Sequence, residues 1–398
     1  MCAACAAGAV RAAELRGLVD LRAVASDSER GWTRAGLGKL RYDESSDGLR
    51  LGQAVLRADA DLADTVTASL VLNAADDRRR VLDVNEAWLE WSPLPSGPWK
   101  ARVKAGAFFP VISREIAYDG IGWTPERTIS SSAINSWIGE EFRTKGVELQ
   151  LLHRGRAQGS PHDIGFSAAL FGANDPAGTV IGWRGWSISD RITGLSEALR
   201  LADLPVYRAD GSIPRQTRTI RLFREIDRRI GYYLGANYAY ADWLEIDAMH
   251  YDNRGDPLVV KDGQYSWNTR FNHAGARVHA GAWDLRFQAM EGSTLMGAQA
   301  VQLDYRAWYG LASHALGPGV LTLRFDRFST SEHDAFPLDP NGESGHAVAL
   351  AYSYTINPSL ELVTEALAVH STRPARVLLG ELPAQCERSI TTALRWRF

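Results

Sequence analysis

The sequence predicts an all-β fold: an antiparallel transmembrane β-barrel of about 18 strands, with 16 as the alternative count. Three observations carry this. Apolar and polar residues alternate with period two in runs of about ten residues, longer than the usual five or six of soluble sheets. No run of about 18 apolar residues occurs, so no ordinary membrane helix is available. The 13 tryptophans and 13 tyrosines gather towards the ends of the apolar faces, as in the aromatic girdles of membrane interfaces.

Composition narrows the class further. Lys plus Arg is 44 and Asp plus Glu is 47, a net charge of −3, which gives no global electrostatic case for nucleic-acid binding. With 45% hydrophobic and 23% charged residues the chain is not intrinsically disordered. Cys2, Cys5 and Cys386 are too few and too scattered for a disulfide framework or a thiolate metal site. No cofactor or metal is expected.

The elements follow in order. Residues 1–13 read as a signal-peptide remnant or a disordered tail, and 14–398 as a single barrel. Candidate strands are 14–24, 49–60, 63–73, 81–92, 99–109, 135–143, 146–154, 163–172 and 178–188. They continue at 230–240, 242–252, 265–278, 282–293, 299–312, 319–329, 345–356, 359–370 and 388–398. In 99–107, Trp99, Ala101, Val103 and Ala105 oppose Lys100, Arg102 and Lys104. In 283–289, Trp283, Leu285 and Phe287 oppose Asp284 and Arg286. Val301, Leu303, Tyr305 and Tyr309 are expected to face lipid, opposing Asp304 and Arg306, and Leu321, Leu323 and Phe325 oppose Arg324 and Asp326. Starting in the periplasm, every long connection falls outside and every short turn inside, the asymmetry required of a bacterial outer-membrane barrel.

The expected lumen is lined by Lys100, Arg102, Lys104, Glu245, Asp247, Asp284, Arg286, Asp304, Arg306, Arg324 and Asp326. Charges of both signs suit a water-filled pore and predict weak selectivity. The long segment 110–133 follows the basic comb of Lys100, Arg102 and Lys104. Folded inward, it would place Arg114, Glu115, Asp119 and Arg127 near that wall and narrow the pore. The ending RSITTALRWRF alternates through Trp396 to Phe398, a pattern that resembles the signal read by the barrel assembly machinery. No HExxH, GxSxG or phosphate-loop motif occurs, and the acidic pairs Glu140/Glu141 and Glu245/Asp247 read as structural. No catalytic residue is assigned.

In KAGAFFPVISREI, Gly106, Pro110 and Glu115 match the segment that leads into the third loop of the phosphate-selective porin O and P family. The passage resembles that family, and Arg143-Thr-Lys-Gly-Val-Glu-Leu resembles its next hairpin. The resemblance implies an outer-membrane pore, commonly a homotrimer; phosphate selectivity is not carried over, because no matching arginine ladder is identified. The expectation is passive diffusion of small hydrophilic solutes or ions. A substrate-specific uptake channel for phosphate or an organic solute is the alternative, and an outer-membrane enzyme is less favoured. Expected partners are membrane lipids and lipopolysaccharide, the assembly machinery and two further copies of the chain, with no nucleic acid.

Overall fold

In the computed structural model sixteen antiparallel strands close into one barrel. The structure describes residues 12–95, 97–116, 121–334, 336 and 339–398. The signal-peptide reading of the first residues and the position of Asp119 lie outside them. The strands are β1 (Ala12–Ser26), β2 (Gly48–Ala63), β3 (Val66–Ala74), β4 (Leu82–Trp91), β5 (Trp99–Phe108), β6 (Thr144–Arg154), β7 (His162–Gly172) and β8 (Gly231–Tyr240). They continue as β9 (Leu244–Asp252), β10 (Asn268–Ala280), β11 (Trp283–Met296), β12 (Val301–Leu316), β13 (Gly319–Glu332), β14 (Glu343–Asn357), β15 (Leu360–Thr372) and β16 (Ala384–Arg397). Closure comes from β1 against β16, with Leu18 opposite Arg397 and Leu21 opposite Leu394.

The longest connections gather at one end, which also carries the four-residue link 297–300, and the tightest turns at the other. Residues 64–65, 241–243, 281–282, 317–318 and 358–359 turn tightly at one end, while 27–47, 109–143, 173–230 and 253–267 are long and lie at the other. Gly281 and Gly317 adopt positive φ, the conformation a two-residue hairpin turn needs.

Period two places aliphatic and aromatic side chains outside. Leu149, Phe166, Leu234, Leu285, Phe287, Leu323 and Leu350 are exposed on the outer wall. Their alternates, including Asp284, Arg286, Arg324, Asp326 and Arg395, are buried inside. A soluble sheet would bury the first set; here they give the outer wall an apolar surface suited to hydrocarbon, interrupted on β10–β12 by exposed Arg270, Glu291, Asp304 and Arg306.

Two segments expected as strands are helices. Residues 135–143 fall largely in α1 (Ala133–Glu141), and 178–188 begin in the short α2 (Thr179–Trp183). Removing both gives the count of 16. All nine residues of α1 are buried, so the segment needs no polar face and its alternation carries no facing information. The Ser132 side chain caps it by accepting from Asn135 N. Both helices enter the barrel from the long-connection end and build a core there. Trp137 packs edge-on against Tyr305 (4.9 Å between ring centroids) and Trp186 (5.5 Å). Tyr251 stacks on Phe271 (4.8 Å) and Phe171 (5.0 Å) from the wall.

That core overturns one facing assignment. In β12, Val301, Leu303, Tyr305, Ala307, Tyr309 and Leu311 point inward and are buried. Asp304 and Arg306 lie on the outer face instead, with Asp304 beside His333 (3.0 Å) and Arg306 opposite Glu291. The apolar side has an apolar partner inside the barrel, so hydrophobicity stops reporting the lipid-facing side.

Candidate functional site: the permeation path

The described residues of the connection 109–143 lie inside the barrel as a strap, ion-paired to the wall formed by β9–β16 and β1, while Phe109 N donates to Glu86 on β4 and Gln53 on β2 donates to Thr124. The first half of the strap runs through backbone groups that a wall of charged side chains can satisfy. Arg114 reaches Glu245 (2.6 Å) and Asp247 on β9, and its N–H donates to Gln288 Oε1 (2.9 Å) on β11. Glu115 pairs with Arg324 (2.7 Å) on β13 and also accepts from Ser132 N (2.9 Å). Arg324 donates to Ser130 O (2.6 Å) and Ser131 O (3.1 Å) and pairs with Asp326 (2.8 Å).

The second half is held in the same way. Glu126 binds Arg286, which also pairs with Asp284, and Arg127 lies 3.8 Å from Asp284. Arg395 on β16 donates to Thr128 O (3.0 Å) and pairs with Asp20 (3.1 Å) on β1. Glu365 on β15 accepts from Ile129 N (2.9 Å) and Ser130 N (3.1 Å). Asp326 accepts from Ala133 N (3.1 Å) at the start of α1, where a negative charge is favourable.

The expected lumen residues therefore separate into three groups. Glu245, Asp247, Asp284, Arg286, Arg324 and Asp326 face inward, but their charges are spent on the strap and on each other. Asp304 and Arg306 are outside. Lys100, Arg102 and Lys104 face inward on β5, across the barrel from the wall to which the strap is pinned. Arg114, Glu115 and Arg127 engage that far wall rather than the comb, because the acidic and basic partners they need stand there. Glu126, Glu365 and Arg395 complete the attachment. No local motif marks them: Glu115 and Arg324 are separated by 209 residues.

The β5 comb takes no part in the strap's attachment, and Lys104 lies between Glu90 and Glu148 of the neighbouring strands. Arg102 pairs with Glu90 (3.0 Å). Lys104 Nζ sits 5.2 Å from the Trp88 ring and 5.5 Å from the Phe108 ring, and among the described residues neither it nor Lys100 has an ion pair. Between the strap and the β6–β9 wall remains a gap of about 230 Å³, lined by Ser113, Arg114, Gln150, Asn237 and Asp247 together with Ile112 and Met249. This gap of mixed polar and apolar lining beside the strap is the candidate path for small solutes. Among the described residues that line it, no nucleophile stands beside a base and oxyanion donors.

No family model and no curated protein matches the chain. Solved structures do share its fold. The outer membrane channel DcaP of Acinetobacter baumannii superposes with a TM-score of 0.56 at 10% identity, covering 97% of each chain. An anion-selective porin from Comamonas acidovorans gives 0.54 at 12%, covering 97% of this chain and 99% of its own. The in-vitro folded trimer form of OmpT from Vibrio cholerae, an outer membrane protein, gives 0.51 at 10%, covering 97% and 100%. The fold is that of the outer-membrane porins. At such low identity the likeness extends to architecture alone.

Proposed function

We propose that the chain is an outer-membrane channel for passive diffusion of small hydrophilic solutes, with the long loops outside and the short turns in the periplasm. The carrying observation is the strap: a long connection folded into the lumen and ion-paired to one wall, leaving a gap of mixed lining and the Lys100–Lys104 comb on the other side. A confined path focuses the field of its unpaired charges. With the far wall neutralised by the strap, the two unpaired lysines set a weak preference for anions. Phosphate specificity needs more than this comb, so the resemblance to the phosphate-selective family is kept at the level of a shared pore design. The outer apolar wall contacts lipid, and a homotrimer is the expected assembly. Activity is transport alone, with no catalytic step.

The test uses refolded protein in liposomes and planar bilayers. Sugars of increasing size should enter with a sharp size cut-off, and bilayers should show discrete ohmic steps. A folded barrel that gives neither swelling nor steps contradicts the proposal.

A further inference from the structure

The long-loop end holds a cleft distinct from the permeation gap. Three connections build it: 27–47, 75–81 and 173–230. Its lining includes Trp32, Asp77, Arg79, Val180, Arg184, Arg191, and the run from Glu197 to Ala202, around a hollow of about 60 Å³ that opens to solvent. That is room for a few water-sized groups, so only a small ligand fits.

The cleft is rich in donors. Four arginines (Arg79, Arg184, Arg191, Arg200) line it against two carboxylates, Asp77 and Glu197. Both carboxylates are committed. Asp77 pairs with Arg41 (2.9 Å) and Arg191 (3.5 Å); burial raises its carboxyl, but these guanidiniums hold it below the ordinary range. Glu197 is bound by Arg191 and lies 3.8 Å from Arg78. Arg79 and Arg200 stand exposed at the rim with no ion pair among the described residues.

Two buried donors remain without acceptors. Trp32 is 5% exposed, its ring lies 4.5 Å from the Arg184 guanidinium carbon and 5.3 Å from that of Arg191, and its Nε1 has no partner. Arg191 is 4% exposed and its Nη1 has none either. Buried donors left unpaired are unfavourable, and an anionic oxygen is the acceptor that would satisfy both. Beside them Val180, Leu199, Leu201 and Ala202 supply apolar surface. Inorganic anions have no use for that surface; an organic acid does.

We propose that this cleft binds a small organic carboxylate, its carboxylate accepting from Trp32 Nε1 and Arg191 Nη1 and its apolar body lying on Val180, Leu199 and Leu201. The rim arginines steer it in. The proposal rests on the channel reading only in making the cleft a capture site at the outer mouth. Binding itself needs no conduction.

The test is isothermal titration of the folded full-length chain in detergent with benzoate, acetate and inorganic phosphate. Benzoate should bind saturably, acetate more weakly for want of an apolar body, and phosphate no better than acetate. Trp32→Phe keeps a ring and deletes the donor; it should weaken benzoate by about tenfold. The doubly substituted Arg79→Gln/Arg200→Gln, both at exposed positions, should weaken benzoate and flatten its salt dependence while leaving heat-modifiable migration unchanged. The proposal is overturned if benzoate fails to saturate the folded wild type, if phosphate binds better than benzoate, or if neither variant alters affinity. Conduction without benzoate binding sinks the cleft and leaves the channel standing; binding without conduction does the reverse.

Discussion

Phe398 lays its ring directly over Gly17, and the two residues exchange both backbone hydrogen bonds, Gly17 N to Phe398 O at 2.7 Å and Phe398 N to Gly17 O at 3.1 Å. A Cβ at Gly17 would stand 2.1 Å from Phe398 Cζ, so only glycine admits this contact. The pair extends the β1–β16 ladder by one step and sits at the barrel seam.

A barrel must close to leave no unpaired edge in the bilayer. Gly17→Val, or Phe398→Ser, should therefore lower the heat-modifiable folded fraction in the outer membrane. Pores that do assemble should keep wild-type conductance, because neither residue lines the path. Trp396, exposed on the same outer face, should behave like Phe398. Normal folded yield in all three variants would show that neither seam nor terminal signal matters.

Facing gives the next expectation. Leu323 is 51% exposed on the outer wall, while Arg324 beside it is wholly buried. Leu323→Arg should cost about 2–4 kcal/mol in unfolding from lipid if it lies at the midplane. A neutral result would place this face against protein.

Arg324→Gln acts differently. It leaves Glu115 buried without its partner, a change worth about 3–5 kcal/mol locally. Since the barrel ladder is unaffected, the cost should fall on the strap: single-channel conductance should rise and become noisier, with heat-modifiability retained. Unchanged conductance would mean that the strap does not narrow the path.

Asp175, beyond the end of β7, is pushed up to about 7, first by burial and then by Asp227 and Glu225, against the backbone N–H groups of Ile226 and Asp227. A carboxyl whose folded pKa is raised stabilises fully below its unfolded value near 3.8 and loses that contribution as pH rises to about 7. The anchoring of the 173–230 connection should thus be tighter at pH 5 than at pH 8, read as slower proteolysis within it. Asp175→Asn should abolish the difference. A pH-independent rate in wild type would refute the assignment.

The sequence disclosed the barrel because lipid imposes one rule on every strand, and residues such as Leu285 against Arg286 obey it locally. It misled wherever the inside of the barrel is also apolar. Tyr305 and Tyr309 look lipid-facing until Trp137 and the other core residues are placed opposite them. The α1 segment looked like a strand for the same reason, although Ser132 with Asn135 is a helix-start signal that could have been weighed. The strap's attachments were not legible at all. Ion pairs such as Arg114 with Glu245 join residues more than a hundred positions apart, and only closure of the barrel brings them together.

The account stands or falls on the side of the lumen that the strap leaves open. Reversal potential across a planar bilayer in a KCl gradient, compared between wild type and Lys100→Gln/Arg102→Gln/Lys104→Gln, reads that side directly. The account predicts a weakly anion-selective wild type and a variant shifted towards cations, with folded yield unaltered. An unchanged reversal potential in the triple variant would contradict it.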